Sequence, residues 1–89
     1  MTIERWKSFS KSRQMLMIGS EILRAKNWQG KDQNKFLSAI ERALELIDFS
    51  LSDIKWRNFY QILLGLREEL SKFYVNENQY DIGVLYEVM

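Results

Sequence analysis

One segment limits what the rest of this chain can fold into. In Phe36–Leu51, FLSAIERALELIDFSL, leucine and isoleucine recur at Leu37, Ile40, Leu44, Ile47 and Leu51. Steps of three and four residues put these side chains on one face of an α-helix. Glu41, Arg42, Glu45 and Asp48 occupy the opposite face, so the helix has one dry side and one wet side. A helix of this kind belongs in a water-soluble bundle, and the flanking segments are read as its cover.

The segments on either side carry matching stripes. Ile3, Trp6 and Phe9 share a helical face, and serines at 8, 10 and 12 favour caps over helix interiors, which predicts a short first helix and a break. A longer helix is expected from Ser12 or Arg13 to Trp28, with Met15, Ile18, Ile22 and Ala25 as its stripe and Leu16 and Leu23 widening it. Gly19 and Ser20 thin this helix, and an interior glycine costs about 1 kcal/mol relative to alanine, so another helix is expected to approach there. Gly30 suits a left-handed C-cap and Asp32 the next N-cap. The central helix is expected to end near Ser50. Ser52 or Asp53 then caps a helix over Ile54 to Tyr74 that buries Trp56, Phe59, Leu63, Leu66, Leu70 and Phe73. Short connections between helices this long imply antiparallel neighbours.

The last residues are ambiguous. Asn76 to Asn78 stops the helix, and Tyr80 to Val88 has an apolar residue at every even position, the period of a strand. Nothing in a helical chain would pair with a lone strand, so a short helix from Asp81 or an extended tail on a partner is expected. Tyr80, Leu85 and Tyr86 should bury against a helix groove, on the same chain or on a second copy. The fold class is therefore all-α. It is a single domain over residues 1–89, an antiparallel up-and-down bundle of three main helices with a short terminal helix. The absence of proline and the small number of glycines agree with that reading.

Cysteine and histidine are both absent. Disulfides, Cys- or His-ligated metal centres and imidazole-based catalysis are excluded with them. No apolar run approaches the roughly 20 residues that span a bilayer and no signal-peptide core is present, so no membrane association and a cytoplasmic address are expected. Glu41, Glu45 and Asp48 could share one helix face near Glu68 and Glu69, a pattern reminiscent of Mg2+-dependent nucleotide hydrolysis. Arg42 interrupts the group, and a solvated face with salt bridges is the expectation. Neither a catalytic residue nor a cofactor is expected.

Charge is uneven along the chain. Residues 1 to 31 hold seven lysines and arginines against Glu4 and Glu21, whereas the remainder is net acidic. A basic helix packed beside an acidic one within the fold is the simple explanation; the other is an anionic partner such as nucleic acid, engaged through Lys7, Lys11 and Arg13. Glu21 and Arg24, with Arg67 and Glu68, lie beside apolar stripes and define a possible polar site between helices. Apolar stripes on three helices plus Trp6, Phe9, Trp28, Tyr80, Leu85 and Tyr86 exceed what a core of this size is expected to hold. Those six residues are the candidate interface. The expected role is non-enzymatic protein association, most simply as a homodimer and otherwise with another protein.

The blocks IGSEILRAKNW (18 to 28), ERALELIDFSLSD (41 to 53) and LLGLREELSKFY (63 to 74) resemble those of a group of small, uncharacterised prokaryotic helical proteins. More distantly, the layout resembles the helical bundles of HEPN domains and of proteins encoded by ribosomal RNA intervening sequences. HEPN ribonucleases use an Arg-x4-6-His motif that this chain lacks. The resemblance thus implies a binding or neutralising role, as in a toxin or antitoxin component, without nuclease activity.

Overall fold

In the computed structural model, which describes all 89 residues, five α-helices and one 3-10 helix follow one another without a strand. They are α1 (Ile3–Lys7), α2 (Lys11–Trp28), α3 (Gln33–Leu51), the 3-10 helix (Ile54–Phe59), α4 (Tyr60–Tyr74) and α5 (Gly83–Glu87). The boundaries are set by local chemistry. Thr2, Ser10, Asp32 and Asp53 each accept a backbone N–H at the start of a helix, satisfying a donor that the helix itself leaves free. Gly30 after α2 and Asn76 after α4 take positive φ, 76° and 65°, and reverse the chain.

The central helix is α3, as its stripe requires, and α2 packs on it more extensively than any other element. Its fully buried face is rotated from the leucine stripe. Phe36, Ala39, Ile40, Ala43, Ile47 and Ser50 are buried, while Leu37, Leu44 and Leu51 sit half-buried at the margin. On α2, Ile18, Ile22 and Ala25 are sealed completely. Alanine at 25, 39 and 43 removes side-chain bulk where α2 and α3 meet, which permits a short interaxial distance. On the other flank Leu63, Leu66, Leu70 and Phe73 of α4 close the core.

The expected single helix over Ile54 to Tyr74 is a correction. Its first six residues are 3-10, and α4 begins at Tyr60 with no side-chain cap. The tighter winding turns Trp56 inward to 3% exposure and leaves Phe59 38% exposed, so Phe59 is not the core residue its spacing predicts.

A buried hydrogen-bond relay fixes this corner. Trp6 Nε1 donates to Ser50 Oγ at 3.0 Å, Gln14 Nε2 donates to the Trp6 carbonyl at 2.7 Å, and Trp56 Nε1 donates to Gln14 Oε1 at 2.5 Å. Trp6, Gln14 and Ser50 are all inaccessible to solvent. Four elements are joined: α1, α2, α3 and the 3-10 helix. Gln14→Leu would leave the Trp56 indole N–H unpaired in a dry site and strip the Trp6 carbonyl to its remaining bond from the Phe9 N–H at 3.1 Å, and should cost about 1–3 kcal/mol in urea unfolding. A loss below half a kcal/mol would mean that the relay contributes nothing.

Candidate docking groove

Because α2 and α4 both lie against α3, they run in the same direction and scarcely touch each other. At their N-terminal ends, Lys11 Nζ from the first turn of α2 sits 4.2 Å above the ring of Phe59, the residue just before α4. Their last turns are bridged by the tail. Tyr80 packs edge-on against Phe73 of α4, with ring centroids 4.8 Å apart. From there the chain crosses to α2, where Gln29 donates to the Tyr80 carbonyl at 2.8 Å and accepts from the Ile82 N–H at 2.9 Å. Lys26 pairs with Asp81 at 3.1 Å. The chain then turns back as α5, burying Ile82 and Leu85, with the Tyr86 ring packed onto Gly19.

Gly19 is the close approach that the sequence implied. A Cβ there would lie 2.9 Å from Tyr86 Cε2, so only glycine lets the ring settle onto the helix. Thus α5 acts as a partial fourth helix in the cleft between α2 and α4, and it ends after five residues.

Beyond α5 the cleft stays open. A groove of about 1000 Å³ remains, walled by Met15 and Leu16 from α2 and by Phe59 and Ile62 from the other side, with Met89 at its edge. Leu16 is 67% exposed and Ile62 59%. Gly65 adds a flat place on the α4 wall, since a Cβ there would meet nothing within 4 Å. The only charged side chains in the lining are Lys11 at one end and Glu69 at the other. Apolar side chains gathered on facing walls in this way, in place of being scattered singly, offer a surface that a partner can cover. Burial, and next the Glu69 charge, push the pKa of the Tyr80 hydroxyl, which lies beside that end of the groove, above its usual value.

The candidate interface of the sequence reading is only partly assembled. Trp6 and Leu85 are core residues. Trp6 goes inside because Ser50 supplies the partner its indole N–H needs, so it is unavailable to a second protein. Phe9 is half-buried, edge-on to Trp6 and stacked beneath Arg13. Trp28, also half-buried, lies under Lys35 at the far end of α2. Tyr80 and Tyr86 remain 43% and 41% exposed while holding the tail against its own chain, so the groove they occupy belongs to the same molecule. Leu16, Ile62 and Gly65 form the exposed surface instead. Leu16 was legible only as a widening of the α2 stripe.

The possible polar site does not form. Glu21 pairs with Arg24 at 3.5 Å within α2, Arg67 with Asp48 at 2.7 Å, and Glu68 with Lys72 at 3.7 Å, in separate places. One Glu21 oxygen is buried without a hydrogen-bond partner. The acidic face of α3 is likewise divided, with Glu41 accepting from Tyr74 at 2.6 Å and Asp48 held by Arg67, and no three acidic groups gather as metal ligands would. No helix is long and apolar enough to cross a membrane.

The basic helix α2 does pack beside the net-acidic α3, but the packing leaves most of the cations of the first segment unpaired. Of its seven cations only Arg24 and Lys26 have a carboxylate within 4 Å, leaving Arg5, Lys7, Lys11, Arg13 and Lys31 without one. Lys11 and Arg13 instead rest on the rings of Phe59 and Phe9. The cationic end is crowded further by Lys55, which donates to the Lys7 carbonyl and pairs with Asp53 at 2.7 Å. Burial acts to raise the Asp53 pKa, but the hydrogen bonds and charge of Lys55 outweigh it and hold this carboxyl below the usual range.

Comparison of the chain with protein-family models, with curated proteins and with solved structures gives no match.

Proposed function

We propose that this protein acts without catalysis, by protein association, and that the groove between α2 and α4 is its docking surface. The observation that carries the proposal is the uncovered half of the α2–α4 cleft, with Leu16 and Ile62 exposed on its two walls. Burying one leucine or isoleucine side chain is worth about 1.5–3 kcal/mol, so covering the pair repays part of the cost of association. The simplest partner is a second copy, which is present wherever the first is.

Sedimentation equilibrium between about 1 and 200 μM tests this, a range that captures the micromolar affinities of ordinary small interfaces. The wild-type chain should be a reversible dimer. Leu16→Glu and Ile62→Glu should each be monomeric with unchanged helix content, because both side chains already face solvent. A wild-type chain that stays monomeric throughout would contradict the proposal.

A second reading, association with nucleic acid, is favoured by the five cations that lack a carboxylate partner. It accords with the HEPN-like layout and a toxin or antitoxin role. It predicts RNA or DNA binding that weakens steeply with salt and disappears when Lys7, Lys11 and Arg13 are neutralised together. No binding at low salt would remove it.

A further inference from the structure

Resting on the reading of the groove as a self-association surface, we infer that the second copy docks about a two-fold axis crossing the groove at its middle, so that Lys11 of each chain faces the partner's Glu69. The argument begins with the charges. Lys11 and Glu69 carry the only two charged side chains in the lining, and they stand at opposite ends. Lys11 lies over Phe59, ten residues before Glu69, so about 15 Å of helix separates the two levels. A two-fold axis perpendicular to the groove exchanges its ends. Each cation is then brought opposite an anion, whereas an axis along the groove would set Lys11 on Lys11 and Glu69 on Glu69.

Lys11 has no carboxylate within 4 Å in its own chain. Glu69 receives Asn78 at 3.2 Å and Lys72 at 3.8 Å, both on Oε2, with the Tyr80 hydroxyl beside the same carboxylate, so the partner's Lys11 would share an anion that its own chain already holds in place.

The apolar surface has the same symmetry. An axis midway between the levels of residues 59 and 69 sets Ile62 against the partner's Gly65 and Leu66. The most exposed large apolar side chain of α4 therefore meets the one wall position with no side chain. On α2, Leu16 lies five residues beyond Lys11, about 7.5 Å along the axis, and so sits level with the two-fold, leucine against leucine. Four helices, two from each chain, then enclose both open grooves as an antiparallel bundle.

Charge reversal tests the orientation. Lys11→Glu places two glutamates opposite two glutamates, and Glu69→Lys places two lysines opposite two lysines. Each variant alone should self-associate at least about tenfold more weakly than wild type, since juxtaposed like charges oppose binding. Mixed in equal amounts, the two form a heterodimer in which every facing pair is again opposite in sign. Sedimentation equilibrium of the mixture should return to within about threefold of the wild-type dissociation constant, an effect that a variant damaged in folding could not give. Wild-type dimers whose affinity ignores both substitutions, or variants that stay monomeric when mixed, would overturn the orientation while leaving self-association intact. A monomeric wild type would overturn self-association itself, and this inference with it.

Discussion

The carboxamide of Gln14 is the point on which the remaining architecture depends. It donates to the Trp6 carbonyl and accepts from the Trp56 indole, while the Trp6 indole reaches across to Ser50. A buried polar group is tolerated only when paired, so these groups hold one another inside. The consequence is positional. Trp56 is locked at the start of the segment that becomes α4, and it also lines the groove, so the relay fixes the distance at which α4 stands from α2. Two helices held against α3 in this way leave a cleft that side chains alone do not fill.

The tail fills half of that cleft, and its geometry explains why it stops. Ile82 and Leu85 supply the apolar burial, Tyr86 uses the flat face of Gly19, and Asp81 receives both Lys26 and the Gly83 N–H. The close approach at Gly19 serves α5, so the helix that the sequence anticipates at this glycine is the chain's own tail. What remains exposed further along α2 is leucine and methionine in place of another glycine.

Much of this was legible because it is local. Ser10, Asp32 and Asp53 cap the helices they precede, and the absence of proline leaves α2, α3 and α4 uninterrupted. The failures share a different physical cause, which is that they depend on partners distant in sequence. Nothing within a few residues of Trp6 reveals that Ser50 satisfies its N–H, so an aromatic that is core looked like an interface. The rotation of the α3 face away from its leucines follows from close packing on α2 through Ala39 and Ala43, and periodicity alone does not weigh alanine that way. Tyr80 to Val88 reads as strand because a helix of five residues spans less than two turns, too few to establish a 3.6-residue period. The groove was the least legible feature. Leu16 and Ile62 are ordinary apolar residues in helices, and only the separation of α2 from α4 makes them a surface.

The central claim is that the open part of the α2–α4 cleft is the surface this protein uses to associate. Methyl-resolved NMR on protein labelled at isoleucine and leucine, followed from dilute to concentrated solution, measures it residue by residue. The account predicts that the Ile62 and Leu16 methyl resonances move together with concentration, while those of Ile40 and Ile47, sealed in the core, stay fixed. Resonances that do not move at any concentration, or that move at Leu37 and Leu44 on the margin of α3 while Leu16 and Ile62 remain still, would contradict it.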